Sequence, residues 1–299
     1  MNPNTGGNSA DASEKTLWSE LLPYEFKKRL AKCPVVYVPL GLCEPHGQVS
    51  AFGLDTIKAE WLCQQTARIV GGIVAPSLGY HIHESGYHAR WLEETVGEEN
   101  PHMTSVPPAV LLYFFLYQLR AFVNAGFKMV VVITGHSGGN QEDLRRLANL
   151  FMTYIPIRVW VKSDPELVEG IYMGDHAGKY ELSQLMYIRP DLVDMNARIL
   201  EEVPLSGGRL ALGSDADEAS PEWGKQIMDA CLSQLCTVVS QIDEETVSKA
   251  LPKISYSMIE TIWSEFIQSS ATWVTANPWQ KQQEVSPNSQ WKPYEHYKA

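Results

Sequence analysis

Three short stretches of this 299-residue chain carry residue types that can do chemistry together. They are Glu44-Pro45-His46 with Asp55 nine residues on, Gly135-His136-Ser137-Gly138-Gly139-Asn140, and Asp175-His176 with Glu181. Proline pushes the residue before it toward extended backbone, and in an extended segment positions i and i+2 point to the same side. Glu44 and His46 are therefore expected to offer an oxygen and a nitrogen to one cavity. Asp55 alone reads as a helix cap, where the helix dipole favours a carboxylate; the three residues together read as a metal site. Carboxylates mixed with imidazole suit zinc, manganese or iron(II) rather than a thiolate-bound ion. In the third stretch, small residues after His176 permit a tight turn and Glu181 opens a helix. A carboxylate there can complete a two-metal site, and a histidine that is not a ligand can shuttle protons in the same cavity.

The second stretch admits two readings. Gly135-His136-Ser137-Gly138-Gly139 fits GxSxG between a strand and a helix, the setting of a serine-hydrolase nucleophile elbow. Alternatively, His136 is a metal ligand and the glycines let backbone approach a substrate. The serine reading needs a later acid and histidine; the histidines after Ser137 are His176 and His296. It also leaves Glu44-Pro45-His46 without a role.

These residues must be carried by elements that bring distant segments together. Strand-like and helix-like segments alternate, which predicts an α/β fold with a mostly parallel sheet. Strands are expected at 34–40 (PVVYVPL), 72–77, 129–134 (MVVVIT) and 157–161. Helices are expected at 55–70 with Asp55 or Thr56 as cap, at 106–125 opened by Pro107 and Pro108 and closed by Gly126, from 141 with Asn140 as N-cap, from about Glu181, and at 221–239. Two of the three chemical stretches follow predicted strands, at the carboxyl ends where open α/β sheets bind ligands. The reading divides the chain into a lead-in (1–16) rich in Gly, Asn, Ser and Asp, a main domain (17–242), and an extension (243–299). The extension holds a helix to about Ser270, then a tail with Trp273, Trp279 and Trp291 among prolines; such tryptophans are expected to pack on the body or on a neighbouring subunit.

Composition narrows the function classes. Lys plus Arg number 24 against 35 Asp plus Glu, a net charge of −11, with no basic run to track a phosphate backbone. The longest apolar stretch, Ala109–Tyr117, is too short to span a bilayer. The expectation is thus no nucleic acid and no membrane. The first residues have no basic or apolar secretory pattern, and five scattered cysteines without CxxC spacing suit a reducing cytoplasm.

Taken together, the stretches resemble the creatininase (creatinine amidohydrolase) family. The matching elements are Glu44-x-His46, Asp55, Gly-His136 with Gly-Gly-Asn, and His176-Ala-Gly-x-x-Glu181-x-Ser183. Pro101-His102-Met103-Thr104-Ser105 and Ala219-Ser220-Pro221-Glu222-Trp223-Gly224 support them. The resemblance covers about Leu17 to Val239. It implies a three-layer α/β/α fold, a homo-oligomer (often a hexamer), two divalent ions (zinc first, manganese or iron as alternatives) and a small-molecule amide substrate. It also implies roles: Asp55 bridging the ions, Glu44 and His136 on one, His46 and Glu181 on the other, and His176 shuttling a proton to the leaving nitrogen. GHSGGN is one residue longer than the family's common GHGGN. Creatininase places a glutamate where this chain has Gly138, which shifts weight to Glu181. Family tryptophans that cover the substrate correspond to an interval holding Trp160 and Tyr172 here.

The expected function is a metal-dependent amidohydrolase cleaving a C–N bond. A serine hydrolase using Ser137, or a non-catalytic oligomeric binding protein on the same fold, are the alternatives. Residues 88–100 look inserted, the segment 88–102 departs most from the family pattern, and specificity commonly resides in such segments. This one is expected to cover the cavity, with Trp91 or His102 in reach of substrate and Glu93, Glu94, Glu98 and Glu99 facing solvent or a cationic group; a subunit contact is the alternative. Ser137, Gly138 and Tyr172 complete the expected substrate-binding set.

Overall fold

A computed structural model describes residues 15–201, 210–242 and 244–291. The lead-in before Lys15, with Pro293 and His296 of the tail, lies outside the described residues. Four strands, Val35–Leu40 (β1), Ile73–Val74 (β2), Met129–Thr134 (β3) and Arg158–Ser163 (β4), form a parallel sheet in the order β2-β1-β3-β4. Every residue of β1 and β3 is buried, because helices cover both sheet faces. The predicted 72–77 strand shortens to two paired residues; Pro76 brings no N–H to a ladder.

Ten helices accompany the sheet among the described residues: Pro23–Lys32 (α1), Leu54–Val70 (α2), Tyr87–Thr95 (α3), Pro108–Ala125 (α4), Asn140–Tyr154 (α5), Asp164–Leu167 (α6), Lys179–Ile188 (α7), Pro221–Ser240 (α8), Glu244–Ser248 (α9) and Tyr256–Phe266 (α10). Alternation along the strands sorts them into layers. Val36, Val38, Val130 and Val132 pack with Leu112 and Phe115 of α4, Leu144 and Leu147 of α5, and Ile259 and Ile262 of α10. Val35, Tyr37, Val131 and Ile133 pack with Ala59 and Leu62 of α2 and with Ile227, Met228 and Cys231 of α8. The result is a three-layer α/β/α fold. α4 is long and apolar enough to cross a membrane by length and composition, but its Leu112, Phe115, Leu116 and Leu119 are buried in the core.

The extension is docked rather than free. Ile259, Ile262 and Trp273 are fully buried in the first cluster, and burying each isoleucine contributes about 1.5–3 kcal/mol relative to leaving it exposed. The single helix expected after 241 is split into α9 and α10, with Pro252 between them.

Register positions the site. Leu40 lies opposite Thr134, so β1 and β3 end at the same level and release their loops side by side. The chain runs from β1 to β2 on one side and then to β3 on the other, which makes the β1–β3 end the topological switch point.

Candidate metal centre and substrate pocket

Glu44 and His46 leave β1, His136 leaves β3, Asp55 lies in the first turn of α2, and Glu181 in the first turn of α7. All five are buried. They fall into two triads that share Asp55, Glu44–Asp55–His136 and His46–Asp55–Glu181, each with ligand atoms within 4.8 Å of one another. His136 Nδ1 is 2.7 Å from Glu44 Oε1 and 3.4 Å from Asp55 Oδ2. His46 Nε2 is 3.4 Å from Asp55 Oδ1 and 3.5 Å from Glu181 Oε2. Asp55 does not cap its helix, since Gly53 holds that position. Instead both of its oxygens, and His46 Nε2, are buried without a hydrogen-bond partner. Buried polar atoms are normally paired, so these orphaned atoms suit divalent cations of the zinc or manganese kind.

The charges agree with this arrangement. Burial disfavours an imidazolium at His46, but Asp55, Glu181 and Glu44 outweigh it and raise its pKa to about 9. Burial likewise opposes Glu44 and Asp55 at His136, which they raise to about 10. Burial pushes Glu44 up, yet His136, His83 and His176 hold it well below the usual carboxylate range. In the metal-free nest, protons on two histidines balance carboxylates, and an ion would replace them.

His176 belongs to neither triad that contains Asp55, but with Glu44 and His46 it forms a further group whose ligand atoms lie within 4.8 Å of one another. Its ring stacks on His46 at 4.9 Å, Nε2 is 3.1 Å from the Pro45 carbonyl oxygen, and Nδ1 is 4.0 Å from Glu44 Oε1. Burial lowers its pKa, so the ring is neutral at neutral pH. An Nε2–H donated to Pro45 leaves the Nδ1 lone pair free on the pocket side.

Above the nest opens a cavity of about 380 Å³ lined by Glu44, His136, Ser137, Gly138, His176, Glu181 and the aromatic groups of Tyr87, His88, Trp91 and Trp279. Trp91 packs edge-on against His176 at 5.3 Å. Two expected substrate contacts are absent from this lining. His102 is exposed, in a left-handed turn whose N–H donates to Asn100 Oδ1. Tyr172 packs edge-on against Trp223 at 5.1 Å and lines a separate surface depression beside Pro165.

Residues 87–95 form helix α3 rather than a loop, and it covers the cavity with His88 and Trp91. Of the acids expected here, Glu94 lines the cavity and pairs with Arg90, whereas Glu93 and Glu98 are turned to the extension. Glu93 accepts the Ser286 N–H at 2.8 Å, and Glu98 accepts from Ser289 Oγ and the Gln290 N–H at 2.9 Å each. They hold the extension, whose Trp279 stacks on Tyr87 at 4.1 Å and whose Trp291 donates Nε1–H to the Gly97 carbonyl at 2.6 Å. The longer loop after His136 is shaped to fit under α3. Gly138 and Gly139 have φ of 104° and 87°, and a Cβ on Gly138 would clash with Tyr87 Oη. Asn140, expected as N-cap, is the first helical residue after Gly139.

Ser137 lines the cavity with His83, His88, His136 and His176, and no hydrogen bond joins its hydroxyl to a histidine among the described residues. His136 directs Nδ1 to Glu44, and His176 directs Nε2 to Pro45. His296 lies outside the described residues.

The sequence reading missed several groups. His83 Nε2 is 2.8 Å from Glu44 Oε2. His81 accepts the Ile82 N–H on Nδ1, and its Nε2 is 3.1 Å from Thr134 Oγ1, which donates to the His136 carbonyl. Fully buried Lys58 lies among Asp55, Asp164 and Glu181. Two signals were available: His81-x-His83 repeats the i, i+2 spacing of Glu44 and His46, and Lys58 follows Asp55 by one helical turn.

Comparison with known proteins gives a consistent picture. The creatininase (creatinine amidohydrolase) family model matches residues 19–239. The creatinine amidohydrolase of Pseudomonas putida is 23% identical over 258 residues, spanning 75% of this chain and 94% of that protein. Two solved creatininase structures, one described as the Mn form and one as a Zn-Zn type mutant, superpose with a TM-score of 0.62. Each is 23% identical and covers 76% of this chain and 98% of its own.

Proposed function

The chain belongs to the creatininase family, and we propose that it is a two-metal hydrolase of small, non-peptide amide C–N bonds. The observation that carries the reading is the convergence of Glu44, His46, Asp55, His136 and Glu181 into two triads with a common carboxylate. In this reading Asp55 would be the carboxylate common to two divalent ions, Glu44 and His136 would hold the first, and His46 and Glu181 would hold the second. Zinc is the first candidate and manganese the second, which agrees with the ions named for the creatininase structures. Bound there, such a pair polarises a carbonyl and lowers the pKa of a coordinated water.

The remaining roles belong to the chain itself. His176 Nδ1 accepts a proton on the pocket side and delivers it to the leaving nitrogen, while its Nε2–H stays fixed on Pro45. The His81–Thr134 link fixes the His136 backbone. Trp91 and Gly138 border the substrate, and the aromatic lining excludes water from the scissile bond. Assembly into a homo-oligomer, with a hexamer first, is the expectation that family membership supports. The scattered unpaired cysteines suit the cytoplasm.

The test is metal analysis of purified protein combined with a panel of cyclic amides and formamides before and after chelation. Two ions per chain, and chelator-sensitive turnover restored by zinc or manganese, are expected. Chelator-resistant turnover blocked by a serine-directed phosphonate would replace this reading with the serine hydrolase.

A further inference from the structure

Lys58 sits one turn after Asp55 on α2, on a face otherwise occupied by Leu54, Ala59 and Leu62, and it is fully buried. A charged side chain is rarely retained in such a place unless it is paired. Its Nζ is 2.6 Å from Glu181 Oε1, 3.3 Å from Asp164 Oδ1 and 3.9 Å from Asp55 Oδ1. Asp164 is itself fully buried, just beyond β4, and its Oδ2 accepts from Gln184 Nε2 at 3.0 Å.

The two oxygens of Glu181 are thereby divided. Oε1 accepts the short bond from the ammonium, and Oε2 accepts the Ala177 N–H at 2.9 Å and faces His46 Nε2. A carboxylate free of such a bond can turn both oxygens onto one ion; this one is held with a single oxygen toward the nest.

Resting on the two-metal reading above, we propose that Lys58 is a positioning residue: by bonding Glu181 Oε1 it restricts that ligand to one oxygen and keeps a coordination position open at the second ion. Lys58 touches no substrate and acts through Glu181. Outer partners of metal ligands typically change affinity or activity by about 10–100-fold when removed.

The test uses the full chain loaded with cobalt(II), whose visible absorption weakens as coordination number rises. Lys58→Met should keep two cobalt ions, lose visible intensity as Glu181 becomes a two-oxygen ligand, and lose about 10–100-fold in kcat with KM little changed. Lys58→Gln, which retains an N–H donor without the charge, should keep more of both spectrum and rate. Lys58→Met combined with Asp164→Asn removes both buried charges and provides a folded comparison should Lys58→Met alone not fold. An unchanged spectrum in the Met variants with two ions bound would overturn this inference and leave the two-metal reading standing. Equal loss of the second ion in the Met and Gln variants would also overturn it, because charge rather than the bond would then be responsible. Failure of the unsubstituted chain to take up cobalt would overturn both.

Discussion

The floor of the pocket and its outer wall are held in different ways. Glu44, His46 and His136 lie within six residues of the ends of β1 and β3, and Asp55 and Glu181 lie in first helical turns, so short tethers to the sheet fix each one. The wall is Tyr87, His88 and Trp91 of α3 with Trp279 and Gln282 of the extension, joined across long sequence separations. Gln282 Nε2 donates to the Tyr87 carbonyl 195 residues away at 2.9 Å, and the Val274 and Thr275 N–H groups donate to buried Asp143. The floor lies inside the family-matched residues and is buried; Trp279 lies beyond them and is 59% exposed. The candidate ligands are thus held by short tethers to the sheet, and the outer wall joins α3, inside the family-matched residues, to a segment beyond them. Substitutions in the two regions should separate accordingly.

The largest effect is expected from Asp55→Ala, because both triads share that carboxylate. Both ions should be lost, and turnover with them, as read by metal analysis and a rate assay. Retention of one ion at full occupancy would show that the triads are independent.

His176→Ala should keep both ions and lose about 10²–10⁴-fold in kcat, the usual contribution of a proton-transfer group. Metal loss in this variant would instead make His176 a ligand and move it into the nest.

The floor should also respond to pH in a way the wall does not. The pKa values of His46 and His136, about 9 and about 10 in the metal-free fold, are raised above the ordinary value of 6.5. Their stabilising contribution is therefore fully present below pH 6.5 and lost as pH rises through 9 and 10. An ion must displace those protons, so metal binding near pH 7 should release up to two protons. Affinity should then rise by up to ~100-fold per pH unit until the histidines titrate. Thermal melts of metal-free and loaded protein, with calorimetry in buffers of different ionisation enthalpy, measure both. Metal affinity independent of pH from 6 to 9 would contradict the charged nest.

Trp279→Ala is the corresponding change in the wall. It should leave metal content and kcat for the smallest amides nearly unchanged while raising KM for larger ones by about 10-fold, a loss of ~1.4 kcal/mol, within the range reported for aromatic contacts. Equal loss on every substrate would mean that the wall supports the floor and does not select.

Ser137→Ala should have the smallest effect, within about threefold in kcat/KM, since one ring nitrogen of His136 is committed to Glu44 and one of His176 to Pro45, and no hydrogen bond joins either ring to that hydroxyl. Abolished turnover with both ions still bound would restore Ser137 as a nucleophile.

The strands VVYVPL and MVVVIT were legible because residues apolar on both faces are stable only between two layers, and α4 because prolines open it and Gly126 closes it at φ 105°. Glu44 with His46 was legible because a two-residue period in extended chain is a local property. These features depend on neighbours within a few residues, which the order of amino acids specifies directly. The positions of His102 and Tyr172 did not follow from order, since each depends on which way a turn sends the chain. Nor did Lys58, which in sequence is a lysine on a helix and becomes a partner of Glu181 only because α2 and α7 pack side by side. Trp279 reached the pocket because carboxylates of α5 and α3 capture segments 132 and 193 residues downstream. The sequence by itself determined the layers and the chemical types gathered at the strand ends. Only the tertiary structure decided which of those side chains face one another, because that is set by distances between elements rather than by periodicity within them.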